Sequence, residues 1–371
     1  MNLIFNEVHT LGIEILKNKL NAAGFHTKII QQSFRDAIKE FNPKIIYLTW
    51  TFNHPIRNLI LELPEIKKDH PNLKVVIGSY SATFDWEYLQ EIKEIDAIIG
   101  GYADDVIVPC TIDVLNNIEC KLKYLKNPPV DLSIYDYENN IFVEESTRII
   151  VCESTRSCPR ILTNPCSYCN QYKEEYRKLD LNEIIRVLRK KSSQYDRIII
   201  NDPEVPPNVI NTIWEEFSKP IGCFTEAAYL LHIKETKNCF YQIGFDYPGE
   251  INPYNPKKNI TPEILTAIKK LSRYNHINCY QVYLKDESEL PLELMKKLAN
   301  RYPNLQLASF PLTPFPGVFG KKSPENIYKK DYKFKELSEH SYIVFSDGFE
   351  IKDSDPLTLQ GYYFDGTIED C

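Results

Sequence analysis

The chain has 371 residues, 43% hydrophobic and 26% charged, enough for two or three domains with ordinary apolar cores. The formal net charge is -7 and the 44 Lys and Arg residues are scattered rather than massed on one arm, which argues against a nucleic-acid partner. No apolar run approaches the ~20 residues of a membrane span, and the start MNLIFNEVHTLG lacks the basic-then-apolar pattern of a signal peptide; a cytoplasmic protein without membrane contact is expected.

Residues 1 to 110 alternate short β-branched runs with helical patterns. The runs Asn2–Phe5, Lys28–Ile30, Lys44–Thr51, Lys74–Gly78 and Asp96–Gly100 are strand candidates. Leu16, Leu20 and Ala23 repeat at i, i+4 and i+7, and Gly24 offers a helix stop. Further helical patterns cover Phe34–Phe41, Pro55–Lys68 and Trp86–Lys93. Strands that alternate with helices imply a parallel sheet with covered faces. Five such units predict a flavodoxin-like (Rossmann-type) α/β domain over 1–110, its ligand at the carboxyl ends of the strands.

Residues 111–147 read as a connector holding Asn127-Pro128-Pro129 and the acidic, aromatic stretch Asp131–Glu138. From Arg148 the alternation resumes, with apolar runs at 148–152, 197–201, 221–224, 239–245, 277–284 and 305–310. Helical patterns fall at 181–192, 206–217, 227–236, 262–273 and 291–301. Six strands with intervening helices predict a partial (βα)6 barrel, TIM-barrel-like, over 148–320, or an open sheet; either places chemistry at the carboxyl ends of the strands. The extension 321–371 is rich in Tyr and Asp and carries no assignable pattern.

Seven of the ten cysteines, Cys110, Cys120, Cys152, Cys223, Cys239, Cys279 and Cys371, stand alone in the sequence and read as buried thiols of a reducing compartment. The other three form one tight group, Cys158-Pro-Arg-Ile-Leu-Thr-Asn-Pro-Cys166-Ser-Tyr-Cys169, directly after the first strand of the second domain. Three thiolates from one loop can hold three irons of a four-iron cluster and leave the fourth open. Spacing alone leaves two other readings, a zinc knuckle or three free thiols. A structural zinc site needs a fourth ligand, for which the nearest cysteine is Cys152, six residues upstream in the expected strand.

The surroundings of the group narrow this choice. Glu153-Ser-Thr-Arg-Ser-Cys158-Pro leads into the loop, and Tyr168 precedes the last cysteine. This resembles the radical S-adenosylmethionine superfamily, in which a strand runs into a small-residue/Arg/Cys-Pro segment and then Cys-x-x-Cys with an aromatic before the final cysteine. Seven residues separate Cys158 from Cys166, where the family usually has three. Asn201-Asp202-Pro203-Glu204 follows the second strand, Thr225-Glu226 the third, and Gln242-Ile-Gly244-Phe-Asp246 ends the fourth, with Asp at the Glu of the family's "IGxE". Phe310-Pro311-Leu-Thr313-Pro314-Phe-Pro316-Gly317 resembles the proline-rich segment after the sixth strand.

In the first domain, Val76-Ile77-Gly78-Ser-Tyr-Ser81-Ala-Thr83 resembles the "GGxxxT" turn of the cobalamin-binding domains found upstream of such barrels. Ile98-Ile99-Gly100-Gly101-Tyr102 corresponds to their last strand and turn, and Leu48-Thr49-Trp50-Thr51 ends the intervening strand. Small residues at such turns let backbone approach a large ring. The Asp-x-His-x-x-Gly motif that usually supplies a cobalt ligand is missing, and Tyr102-Ala-Asp104-Asp105 stands where relatives tend to carry Gly-Glu. His9 follows the first strand and could approach the corrin.

The resemblance to cobalamin-binding radical S-adenosylmethionine enzymes implies a cofactor set of a 4Fe-4S cluster on Cys158, Cys166 and Cys169, S-adenosylmethionine and cobalamin. It implies nucleoside contacts from Asp202, Glu226, Gln242, Asp246 and Thr313, and corrin contacts from His9, Thr49, Gly78, Ser81, Thr83, Gly100, Gly101 and Tyr102. The implied reaction is reductive cleavage of S-adenosylmethionine to a 5′-deoxyadenosyl radical. Its outcome would be methyl transfer to an unactivated carbon of a small molecule or peptide, with electrons from an external flavodoxin or ferredoxin. Rearrangement or cyclisation without methyl transfer, and a non-catalytic cobalamin-binding protein with a zinc or lost cluster site, are the alternatives.

Overall fold

The computed structural model describes residues 2–5, 11–30, 34–49, 54–79, 82–83, 86–126, 131–162, 175–246, 261–283 and 304–311. The chain divides into two compact units, Met1–Asn140 and Ile141–Cys371.

In the first unit, strands β1 (Asn2–Phe5), β2 (His26–Ile29), β3 (Ile45–Thr49), β4 (Lys74–Gly78) and β5 (Ala97–Ile98) alternate with helices Leu11–Ala22, Phe34–Phe41, His54–Asp69 and Trp86–Leu89. The strand order is β2-β1-β3-β4-β5 with every pair parallel, the flavodoxin-like order predicted from the alternation. The continuous apolar run Ile45–Leu48 is buried throughout, as a central strand covered on both faces must be. The first helix buries Leu11, Ile13, Ile15 and Leu20 and stops at Gly24, whose φ of +87° is a left-handed value that costs glycine nothing.

Residues 111–140, expected within a connector, cluster with this unit. Helix Ile107–Leu115 buries Ile107, Cys110, Thr111 and Val114, a spacing of i, i+3, i+4 and i+7 that is one helical stripe; a boundary at residue 110 would cut it in two. Pro109 sits in the first turn, where its missing N–H is harmless. Thr111 donates its hydroxyl to the Ile107 carbonyl at 2.6 Å, so the buried Tyr47 phenol, 2.6 Å away, donates to Thr111. Burial holds that phenol protonated. Ile98 and Gly100 donate to the carbonyls of Lys121 and Tyr124 at 2.9 and 3.0 Å, so the segment after the helix covers the exposed edge of β5.

The second unit opens on β6 (Phe142–Glu144), antiparallel to β7 (Ile149–Cys152). A two-residue ladder, β8 (Thr155–Arg156) with β9 (Arg177–Lys178), follows. Strands β10 (Arg197–Ile200), β11 (Ile221–Glu226), β12 (Phe240–Asp246), β13 (His276–Tyr283) and β14 (Leu305–Pro311) complete the unit. The main sheet runs β14-β13-β12-β11-β10-β7-β6. Its six parallel strands lie in chain order, the arrangement of a partial (βα)6 barrel left open.

Side-chain caps start the helices at the expected places. Asp180 accepts from Asn182 N at 2.9 Å before Leu181–Lys190, and Thr261 accepts from Ile264 N at 3.4 Å before Pro262–Leu271. Pro207 opens Pro207–Phe217. The helical pattern expected at 227–236 forms a 3-10 helix over Ala227–His232; its buried residues Ala227 and Leu230, with the buried cap residue Ile233 after them, recur every three positions, the 3-10 period. The pattern at 291–301 lies outside the described residues. Among the described residues, no helix is long and apolar enough to cross a membrane.

At the amino end of β13, the side chain of Asn275, 1% exposed, ties three segments together. Its amide donates to the Thr236 and Leu271 carbonyls at 3.1 and 3.0 Å, and its oxygen accepts from Cys239 N at 3.0 Å and Thr236 Oγ1 at 3.2 Å. An Asn275→Ala substitution leaves a buried N–H and two buried carbonyls with one partner fewer. It is expected to lower unfolding stability by about 3 kcal/mol, read as the shift of a chemical denaturation midpoint; a change below about 1 kcal/mol would contradict this role.

Candidate functional site

Among the described residues singled out in the sequence, Thr49, Gly78, Cys158, Asp202, Glu226 and Asp246 fall at or just past the carboxyl ends of parallel strands. In the second unit, β7 ends at Cys152 and the next five residues, Glu153 to Ser157, are all buried. Asp202 lies two residues past β10, the strand beside β7. Its carboxylate accepts from Ser154 N at 2.8 Å, Thr155 N at 3.2 Å and the Ser154 hydroxyl. The side chain thus continues, by one rung, the ladder that Asn201 N and the Cys152 carbonyl close at 2.8 Å. Burial pushes the Asp202 carboxyl up to about 6, against the lowering effect of those donors.

Past Asp202's contacts the chain pairs as β8 with β9, and Leu179 N donates to the Ser154 carbonyl at 2.9 Å. This ladder holds together the two ends of the segment that carries Cys158, Cys166 and Cys169. Ser157 is fully buried with φ +65°, a left-handed conformation that side chains other than glycine adopt at a cost. Cys158 follows directly. Six of the seven described cysteines are buried and Cys158 alone is partly exposed. Its Sγ lies 3.8 Å from Glu204 Oε2. Cys166 and Cys169 lie outside the described residues.

Charges crowd this end of the sheet. Arg156 pairs with Glu153 at 2.6 Å. Arg160, in the 3-10 helix Pro159–Leu162, pairs with Glu204 at 2.9 Å and with Glu226 at the end of β11, so one guanidinium ties the tips of two strands to the cysteine segment. Burial raises the Tyr229 phenol, and the Glu204 and Glu226 charges raise it further. Gln242 lies inside β12, in register with Phe224 and Asn278, rather than at the strand's end. Between Gly244 and Asp246 the β12–β13 register shifts by one residue, an irregularity of the kind that gathers beside functional sites. Thr313 lies outside the described residues.

In the first unit, Thr49 ends β3 opposite Gly78, which ends β4. Thr83 joins two turns: its hydroxyl faces the Ser79 carbonyl at 3.5 Å and accepts from Gly101 N at 2.8 Å. Gly101 has φ +58°. The glycines differ in what demands them. A Cβ on Gly78 would meet, among the described residues, Ile99 at 3.7 Å, an ordinary contact. A Cβ on Gly100 would lie 2.1 Å from the Leu125 carbonyl oxygen, so this glycine is required by the chain itself. Tyr102 is half-buried beside this turn and Asp104 is buried. His9 and Ser81 lie outside the described residues.

Residues 2–109 match the B12 binding domain family. Solved structures extend the likeness past that domain. The radical S-adenosylmethionine methyltransferase TsrM from Kitasatospora setae, with tryptophan substrate and the analogue aza-SAM bound, matches with a TM-score of 0.55 at 11% identity. That match covers 82% of this chain and 72% of TsrM. OxsB, a cobalamin-dependent S-adenosylmethionine radical enzyme with aqua-cobalamin bound, matches with a TM-score of 0.56 at 15% identity, over 92% of this chain and 56% of OxsB. The chain therefore shares the fold of these two proteins and spans about half the length of OxsB. No curated protein matches the sequence.

Several site features escaped the sequence reading. Arg160 and Glu153 were visible only as polar residues of a loop, although charges so close to a buried strand end are themselves a signal. Ser79 stands at the second glycine of the "GGxxxT" pattern and adopts φ +96°, a conformation glycine takes freely. In the B12-binding domain, Ser79→Gly is expected to raise stability by about 1 kcal/mol and Gly100→Ala to lower it by about 3 kcal/mol, both read by thermal unfolding; equal effects would contradict the difference between the two turns. Asp202 makes a pH prediction. Its folded pKa lies above the usual carboxylate value, so the folded state holds the proton more tightly and stability falls as pH rises from about 4 to about 6. Asp202→Asn should flatten that part of the stability profile, a difference of about 3 kcal/mol across the range; an unchanged profile would contradict it.

Proposed function

We propose that this chain is a cobalamin-dependent radical S-adenosylmethionine enzyme that transfers a methyl group to an unactivated carbon of a natural-product or peptide substrate. The observation that carries the reading is the place of Cys158: partly exposed, at the carboxyl end of the first strand of a six-strand parallel sheet, in a chain that begins with a B12-binding domain.

The residues present suit the cofactors. Cys158 offers a reachable thiol, and Cys166 and Cys169 complete the three-cysteine set in the sequence. Gly78 at the end of β4 and the hydrogen-bonded turns at Thr83 and Gly101 offer small residues, as backbone approaching a corrin ring needs. When bound, the 4Fe-4S cluster and S-adenosylmethionine supply a 5′-deoxyadenosyl radical by one-electron cleavage, and cobalamin supplies the methyl group. The electron would come from an external flavodoxin or ferredoxin.

The protein's own part is positioning and exclusion of water. Arg160 holds the cysteine segment against Glu204 and Glu226. Asp246 ends β12 at the register shift, a place from which it would contact the nucleoside; Gln242, within the strand, and Thr313 would contribute further contacts. In the first unit, Thr49, Gly78, Thr83, Gly100, Gly101 and Tyr102 would border the corrin, with His9 and Ser81 completing that border.

Anaerobic reconstitution tests the reading. About four irons per chain and release of 5′-deoxyadenosine from S-adenosylmethionine are expected, and Cys166→Ala should abolish the release. Protein purified from corrinoid-supplemented cells should carry corrinoid absorbance. Bound zinc without iron would instead support a non-catalytic cobalamin-binding protein, and deoxyadenosine release that survives in Cys166→Ala would overturn the cluster assignment.

A further inference from the structure

We infer that Asp202 is a positioning residue for the cluster: its carboxylate fixes the backbone from which Cys158 is presented, and it does not itself contact the nucleoside. The inference deepens the proposed function and rests on it for the identity of the metal group. The geometry behind it does not.

The argument begins with where the β7–β10 ladder ends. Backbone pairing carries these strands in register from Arg197↔Ile149 to Ile200↔Cys152, with one further bond from Asn201 N to the Cys152 carbonyl. Beyond Cys152 the chain leads into the β8–β9 ladder, and the amides of Ser154 and Thr155 lie past the last β7–β10 pair. A buried amide needs an acceptor. Asp202 is the acceptor for both, and it also takes the Ser154 hydroxyl. Its two oxygens are thus occupied by three donors supplied by two consecutive residues.

Two residues separate Thr155 from Cys158, and one of them, Ser157, is held at φ +65° while fully buried. A residue persists in such a conformation only where its surroundings over-determine it. On one side the determinants are Asp202's hydrogen bonds and the bond from Leu179 N to the Ser154 carbonyl. On the other side are the ion pairs of Arg160 with Glu204 and Glu226. Cys158 lies between these two anchors. The Arg160 anchor works through a side chain two residues downstream, whereas Asp202 grips the backbone itself. Loss of that grip frees the left-handed turn and with it the direction of the thiol.

The role also separates Asp202 from its neighbour Glu204. Glu204 reaches Cys158 Sγ itself, at 3.8 Å, and would stand beside a metal group held by that thiol. Asp202 reaches only Ser154 and Thr155 in the contacts described. It acts through the backbone, so its amide analogue should serve nearly as well as the carboxylate: an Asn side-chain oxygen can accept from both backbone amides, and the Ser154 hydroxyl can turn to accept from the Asn amide.

The test compares wild type, Asp202→Ala and Asp202→Asn as full-length chains. In the metal-free proteins, amide hydrogen exchange resolved to residues 153–157 should be at least ten-fold faster in Asp202→Ala and close to wild type in Asp202→Asn, with the amides of β10 and β11 unchanged. After anaerobic reconstitution, Asp202→Ala should lose iron to a chelator at least ten-fold faster and show a shifted electron paramagnetic resonance spectrum of the reduced cluster. Asp202→Asn should restore both. Ser154→Ala, which deletes only the hydroxyl donor, should fall between them and serves if Asp202→Ala does not fold. Unchanged exchange at 153–157 in Asp202→Ala and Ser154→Ala would overturn the inference, as would an Asn variant no better than Ala. If wild type binds no iron, the proposed function fails and the exchange measurement still decides whether Asp202 positions this backbone.

Discussion

A parallel strand pair cannot be closed by a tight turn, so in both units the chain must cross back over the sheet after each strand and begin the next from the same end. Every strand of the first unit, and six of the seven in the main sheet of the second, obey this constraint. One consequence is geometric. All the turns that leave a strand's carboxyl end are gathered along a single edge, whatever their separation in sequence. Thr49, Gly78 and Gly100 meet along one such edge, and Cys158, Asp202 and Glu226 along another. The alternation of apolar runs with helical patterns therefore dictates more than fold class. It decides which short polar segments become neighbours.

The second consequence is energetic. Parallel sheets covered on both faces bury the ends of their strands, and polar residues placed there lose water. Near the cysteine segment, Glu153, Arg156, Arg160, Asp202, Glu204 and Glu226 are all less than a tenth exposed. Ion pairs of this kind are weak evidence for stability, since well-packed apolar residues of similar volume often do as well or better. The cluster is better understood as a set of fixed directions. Arg160 ties two strand tips to one loop, Arg156 and Glu153 stiffen the loop's own start, and Asp202 holds its backbone. A loop built only on apolar packing would have no such defined hydrogen-bond geometry from which to aim a thiol.

How much of this was legible in the sequence follows from the range of the interactions involved. Period and capping are local, so β1 to β5, β7 and β10 to β14 appear in the sequence within a few residues of where they form, and Gly24 ends its helix as read. The helix Ile107–Leu115 also had a readable stripe, but the expectation of a complete five-strand domain at residue 110 obscured it. What could not be read were contacts between segments far apart in the chain. Nothing local shows that Asp202 will meet Ser154, that Arg160 will meet Glu226, or that the glycine at 100 answers to Leu125. Asp202 and Glu226 were both singled out from their place after strands, yet their partners come from a segment more than forty residues away. Gln242 shows the complementary limit: the strand ends at Asp246 as the apolar run implies, while Gln242 lies four residues inside it.

The long gap between Cys158 and Cys166 takes on a different meaning once the ladder of β8 with β9 is known. The ladder joins Thr155 to Lys178 and Arg156 to Arg177, and the whole cysteine group lies between those pairs. The closure of that segment is thus set by the sheet on either side and not by the spacing of the cysteines. In a chain-entropy description, lengthening a segment of about 20 residues by four adds only about 0.2 kcal/mol to the cost of closing it. Seven residues in place of three therefore change little in the stability of the fold. They change which side chains accompany the thiols, and Arg160 with its two glutamate partners is the described part of that change. The anchor points of the segment, Asp202 at the backbone and the β8–β9 ladder at the neck, both lie outside the long gap between Cys158 and Cys166.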